Sequence, residues 1–180
     1  MRRILLLAAL VIGMCTGAVS AQAGGSCTQM LMPVSQLKQV ARGFGPIRGG
    51  MHTGVDLTAP YGSPVRAAAG GTVIFMGRYF GYGNMVDILM PGGTVTRYAH
   101  LSAFTRGMRV GSTVAVGGLI GAVGTSGHAH GPHLHFEVRL HGAAVDPKPF
   151  LALAPCAGGP PATVIEEAHA PEPRQKHRPY

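Results

Sequence analysis

A chain of 180 residues with 15 Lys and Arg against seven Asp and Glu is basic, at a formal net charge of +8, and is long enough for one domain with a proper core. Charge of that sign can meet nucleic acid, anionic lipid or an acidic polymer. No Lys/Arg run or aromatic-basic motif favours nucleic acid, and past the N-terminal segment nothing is apolar and long enough to span a bilayer. An acidic polymer remains as the partner class, beside the plainer reading that the charge serves solubility.

Residues 1–23 read as a secretory signal. Arg2 and Arg3 form a basic start, Ile4 to Ile12 are apolar, and Ala21-Gln22-Ala23 offers cleavage before Gly24. The apolar run is shorter than the roughly 20 residues of a membrane anchor. Met14, where lipoprotein signals carry a small residue, argues against lipid attachment at Cys15. The expected product is exported, to the periplasm rather than the medium, monomeric and free of the membrane. Residues 24–42 form a lead-in, with an amphipathic stretch at "VSQLKQVA" that predicts a helix or turn. Cys27 and Cys156 bracket the region between, and in an oxidising compartment they predict a disulfide joining its ends.

From Gly43 the pattern changes. Glycine, 28 of 180 residues, punctuates strand-length runs such as "SPVRAAAGGTVIF", "GNMVDILM", "GTVTRYAHL", "GSTVAVGGLIGAVG" and "HLHFEVRL". No long stretch of helical period interrupts them. The prediction is an all-β, mainly antiparallel domain over 43–156, a small two-sheet sandwich or partly open barrel. Residues 157–180, rich in Pro, Ala and charge, predict a flexible tail carrying His169 and His177.

Three motifs carry chemistry. In "MHTGVDL", His52 and Asp56 lie four apart, and Gly54 between β-branched neighbours favours an extended segment with both side chains on one side. Histidine nitrogen and aspartate oxygen together suit zinc. In "HLHFEV", the strand period puts His133 and His135 on one face and Leu134, Phe136 and Val138 on the other. Alone, that pair suits a proton relay or a surface pair; beside His52 and Asp56, one of the two completes a three-ligand site with an open position for water. In "RYAHLS", His100 ends a strand and by itself reads as a satisfied surface or half-buried residue.

"MHTGVDL", "YAHLS" and "GPHLHFE", with intervening "GFGPI", "APYGSPVRAAAGGTVIF", "GYGN" and "DPKPFL", resemble the lysostaphin/LytM-type zinc metallopeptidases over roughly residues 43–151. The resemblance implies an antiparallel β fold with an active-site groove, one catalytic Zn2+, and cleavage of peptide bonds in peptidoglycan. Carried over by position, it implies His52, Asp56 and His135 as metal ligands and His100 and His133 as an unligated catalytic pair. No H-E-x-x-H supplies a glutamate base; Glu137 stands in only if it faces the site. Asn84 in "GYGN" and Tyr98 beside His100 are candidate hydrogen-bond donors to substrate. The chain departs from the family's pattern in the loop before the second histidine pair, where His128 and His130 are candidates for binding substrate carboxylates or a weaker second metal.

Two other classes compete. A non-catalytic LytM-type module would bind the wall and activate another hydrolase, but such members lack several ligands, and all five positions are filled here. A histidine-rich metal store would take up several equivalent ions.

Overall fold

The computed structural model describes residues 29–152. The expected signal, Cys27, Cys156 and the tail lie outside the described residues, and so does the predicted disulfide. Twelve strands and one short 3-10 turn follow in order: β1 (Gln39–Arg42), β2 (Gly45–Ile47), β3 (Gly50–His52), β4 (Val55–Thr58), β5 (Pro64–Arg66), β6 (Gly71–Tyr79), the 3-10 turn Phe80–Tyr82, β7 (Gly83–Leu89), β8 (Val95–Phe104), β9 (Thr113–Val114), β10 (Leu119–Val123), β11 (His133–Leu140) and β12 (Ala143–Val145). No helix among the described residues is long and apolar enough to cross a membrane.

The strands pair antiparallel in the order β1-β4-β11-β8-β7-β6-β9, with β12 beside β11 and β10 linking β8 to β5; β2 and β3 form a separate hairpin. The path ends at β1 on one side and β9 on the other, so no barrel closes. This is the all-β antiparallel architecture that the alternating runs predict. One face of the central strands supplies the core: Leu134, Phe136 and Val138 of β11 pack with Val55 and Leu57 of β4 and with Tyr98 and Leu101 of β8. Each such side chain, fully buried, contributes about 1.5–3 kcal/mol. The opposite face of the same strands carries His133, His135 and Asp56.

Two departures from regular pairing matter. In β1 the register runs Gln39↔Thr58, Val40↔Leu57 and then Arg42↔Asp56, so Ala41 and Arg42 together oppose Asp56. In β8, Val86↔Tyr98 is followed by Asn84↔Leu101, which leaves one extra residue beside β7. That bulge centres on His100, whose φ of +61° lies in the left-handed region that non-glycine residues rarely occupy. Beyond it β8 changes partner, from β11 over Val95–Ala99 to β10 over Leu101–Phe104.

Of the helix or turn expected in the lead-in, the turn is what forms. "VSQLKQVA" forms no helix: Val34 makes an isolated bridge to Val65, a turn follows, and Gln39 begins β1. Pairing with β4 supplies the backbone partners that a short helix would have to find within itself.

Candidate active site

β4 and β11 are neighbours, and their register sets His135 directly across from Asp56. His52, at the end of β3, reaches the same point: its Nε2 lies 3.0 Å from Asp56 Oδ1 and 3.2 Å from His135 Nδ1, and the third edge, His135 Nδ1 to Asp56 Oδ1, is 3.0 Å. His52 Nδ1–H donates to the Gly43 carbonyl at 2.7 Å, and His135 Nε2–H donates to Glu137 Oε1 at 3.1 Å. Both protons are thereby held on the outward nitrogens. The inward atoms are then three acceptors converging on one point, which only a cation or extra protons can satisfy. Donors about 2.0–2.1 Å from a tetrahedral zinc would stand about 3.3 Å apart, close to the observed edges. The chemistry and spacing of this set fit one zinc ion.

Gly54 does not form part of a continuous strand, as the extended reading had it, but a bend between β3 and β4. A Cβ there would stand 2.4 Å from the Phe136 carbonyl and 3.0 Å from His135 Cε1, so the glycine lets the turn press against β11.

His100 and His133 flank the trio. Their rings are 4.7 Å apart, and His100 is 5.9 Å from the His135 ring. Regular alternation would turn His100 to the Tyr98 side, into the core. The extra residue in β8 rotates it to the site face, where Nδ1–H donates to the Ser126 carbonyl at 2.8 Å. His133 Nδ1–H donates to Gly131 at 2.8 Å, and its Nε2 stands 3.6 Å from Asp56 Oδ1. Each imidazole is thus anchored by one nitrogen and keeps Nε2 free for proton transfer. Burial, partly opposed by the Ser126 carbonyl and aided by His133, lowers His100 from 6.5 to about 4. Where extra protons rather than a cation satisfy the cluster, Asp56 goes down despite burial, because the protonated inward nitrogens of His135 and His52 hydrogen-bond its carboxylate and outweigh the loss of water. His135 goes up despite burial, drawn by Asp56 and Glu137.

Glu137 shares the His135 face, as strand alternation requires, but not as a base. It is 0% exposed, behind His135 rather than beside the groove. Oε1 accepts from His135, from Thr53 Oγ1 at 2.6 Å and from Tyr82 Oη at 2.7 Å, while Oε2 accepts from Arg139 at 2.7 Å. Arg97 adds a guanidinium 3.8 Å away and is itself clamped to Asp87 through two bonds of 2.9 and 2.8 Å. A carboxylate behind a metal-facing imidazole fixes its tautomer and raises its basicity. The spacing His135-x-Glu137 already carried this signal; Arg97 and Asp87 arrive through the pairing of β8 with β7, and Tyr82 through the 3-10 turn ahead of β7.

A groove of about 580 Å³ opens over the trio, lined by Arg42, Met51, Thr58, Tyr79, Phe80 and Tyr82 as well as the histidines of the site. His128 and His130 are on its rim. Two loops meet there: His128 N–H donates to the Gly81 carbonyl at 2.8 Å and Asn84 N–H to Ser126 Oγ at 2.9 Å. At Gly83, a Cβ would stand 2.4 Å from the Ser126 carbonyl carbon, so only glycine permits the approach. Asn84 and Tyr98 do not line the groove. The Asn84 amide donates to the Leu101 carbonyl at 3.0 Å. Tyr98 lies on the core face, fully buried, its hydroxyl accepting from Ala68 N–H and donating to Thr96. Position beside His100 in sequence misled here, because the bulge separates the two onto opposite faces.

Converging acceptors, two bare imidazole nitrogens and an open trough suit metal-assisted hydrolysis of an extended chain. Similarity to known proteins points to the same class. The chain belongs to peptidase family M23, whose pattern residues 50–147 match. Over 97 residues it is 50% identical to the DD-carboxypeptidase/endopeptidase Mpg of Neisseria meningitidis serogroup B, a match covering 54% of this chain but only 22% of that protein. The catalytic domain of the antimicrobial peptidase lysostaphin from Staphylococcus simulans has the same fold, with a TM-score of 0.58 at 35% identity, over 63% of this chain and 92% of that one. A zinc-containing peptidase from Vibrio cholerae gives a TM-score of 0.58 at 30% identity, over 66% of this chain and 38% of that one. The chain thus spans less than a quarter of the length of Mpg.

Proposed function

We propose that this protein is an exported, zinc-dependent endopeptidase that hydrolyses peptide bonds in peptidoglycan cross-links or stems. The observation that carries the reading is the convergence of His52 Nε2, Asp56 Oδ1 and His135 Nδ1, with both outward imidazole protons pinned, beside the anchored pair His100 and His133. Membership of a peptidase family and the names of the relatives supply the reaction class. Export rests on residues 1–23, with their basic start, apolar run and A-x-A site.

His52, Asp56 and His135 would hold the ion, and Glu137 would keep His135 turned toward it. When bound, zinc would acidify a water and polarise the scissile carbonyl. The chain's own part is proton handling and positioning. His100, with Nδ1–H committed to Ser126, can accept a proton from the attacking water at Nε2. His133, nearer to Asp56, can stabilise the developing oxyanion through Nε2–H when it is protonated, and His100 can pass the proton it took from the water to the leaving amine.

The test uses the mature chain, its zinc content and its action on purified peptidoglycan. About one zinc per chain and soluble muropeptide products are expected. His52→Ala and Asp56→Ala should lose both the zinc and the activity, whereas His100→Ala and His133→Ala should keep the zinc and lose activity by 10²-fold or more. A His52→Ala or Asp56→Ala protein that cut walls at the full rate would refute the assignment, and uptake of several equivalent ions would favour a metal store.

A further inference from the structure

We propose that Arg42 is a substrate-recognition residue that binds a free carboxylate next to the scissile bond, so that the groove selects peptides carrying such a carboxylate over neutral bridges. The inference rests on the peptidase reading above and concerns which peptide the groove takes.

Three observations carry it. First, Arg42 reaches the groove only because β1 is irregular. Were Ala41 opposite Asp56, as regular pairing demands, Arg42 would oppose Val55 and share its core face. The extra residue instead puts Arg42 across from Asp56 and among the residues lining the groove. Bulges that re-aim a side chain concentrate beside active sites.

Second, the guanidinium is uncommitted. Among the described residues its one contact is Nε at 4.0 Å from Asp56 Oδ2, the oxygen facing away from the ligand cluster, and the side chain is 50% exposed. A fork of five N–H donors that makes no hydrogen bond among the described residues matches a carboxylate in the bidentate geometry that lysine cannot offer. By contrast, Arg97, Arg66 and Arg139 have hydrogen-bonded partners.

Third, nothing acidic competes. Among the described residues Asp56 is the one carboxylate lining the groove, and it belongs to the proposed ligand trio, while Arg42 contributes a fixed positive charge and His128 and His130 contribute imidazoles. A trough so charged attracts an anionic peptide and gains nothing from an uncharged one.

A carboxylate near the cut bond has two sources: the terminal carboxylate of the leaving residue, or a carboxylate borne by a stem residue such as a diamino diacid or a γ-linked glutamate. The experiment separates them. Synthetic stem pentapeptides ending in D-Ala-D-Ala are prepared with all carboxylates free, with the C-terminus amidated, or with one stem carboxylate amidated, and pentaglycine serves as the neutral bridge. Steady-state constants are measured for the zinc-loaded mature chain, Arg42→Gln and Arg42→Lys, with zinc content and circular dichroism confirming that each variant is folded and loaded.

The wild type should favour the free carboxylate over its amide by 10–100-fold in kcat/KM, mostly through KM. The arm in which amidation removes that preference identifies the source. In Arg42→Gln the ratio should fall to near 1, and in Arg42→Lys to an intermediate value. Equal treatment of acid and amide by the wild type overturns the proposal, as does a preference that survives intact in Arg42→Gln. Failure of the loaded wild type to cut any of these peptides or purified peptidoglycan overturns the peptidase reading itself, a result distinct from cleavage without preference.

Discussion

At the scale of single residues, the site depends most on a side chain that touches no substrate. Glu137 is wholly buried and takes hydrogen bonds from His135, Thr53, Tyr82 and Arg139. Glu137→Gln preserves its shape but weakens the hold on His135, and zinc affinity measured by chelator competition should fall 10–100-fold. Glu137→Ala strands buried cations, and urea unfolding should show a loss of about 3–5 kcal/mol. Burial alone would raise this carboxyl, yet His135, Arg97 and Thr53 hold it below its ordinary value of 4.5. A group depressed in the folded state stabilises above its unfolded value and loses that contribution as pH falls toward the folded one. The unfolding midpoint should therefore drop as pH falls below about 4.5, less so in Glu137→Gln. Tyr98 offers the opposite case. Its hydroxyl serves Ala68 and Thr96 in the core, so Tyr98→Phe should cost about 1–3 kcal/mol of stability and leave the activity of each folded molecule intact.

At the scale of elements, the strands were legible because glycine-bounded runs with alternating polarity have few other ways to fold. The separation of His133 and His135 from Leu134 and Phe136 followed directly from the two-residue period. What the period could not show is where it breaks. A bulge in β8 delivers His100 to the site and leaves Tyr98 in the core; another in β1 delivers Arg42. Both depend on how one strand registers against another, which the period of a single strand does not contain, and neither bulge itself contains a glycine as a marker. In the lead-in the spacing of Val34 and Leu37 left helix and turn both open, and a bridge at Val34, a turn and the edge strand β1 resolve it. The β8 irregularity yields a sharp prediction. Because His100 holds φ at +61°, His100→Gly should unfold at a higher urea concentration than His100→Ala, by about 1 kcal/mol, even though both variants lose the imidazole.

At the scale of the whole molecule, the His52, Asp56 and His135 trio, which could hold a metal ion, ties distant parts of the chain together. His52 and His135 are 83 residues apart, and Asp56 sits on the strand between β1 and β11. An ion bound to the folded protein alone stabilises it by about 4 kcal/mol at a thousandfold excess over its dissociation constant. Stripping the mature chain with a chelator should therefore lower Tm by several degrees, and stoichiometric zinc should restore it. In His52→Ala the chelator should have little effect on Tm. The rim behaves differently, since the 81–84 and 126–128 segments are joined by His128 N–H to the Gly81 carbonyl and by Asn84 N–H to Ser126 Oγ, with Gly83 packed close against Ser126. That junction favours a trough already shaped before substrate arrives, so binding should proceed without a slow closing step.

The paired bulges in β1 and β8 also bear on how this scaffold can be redesigned. Idealising a sheet, with matched lengths and uninterrupted ladders, is a standard route to hyperstable proteins. Applied here, it would turn Arg42 toward Val55 and His100 toward Leu134, yielding a sturdier sheet with its reactive face half erased. Any thermostable descendant of this fold must keep two faults in its weave.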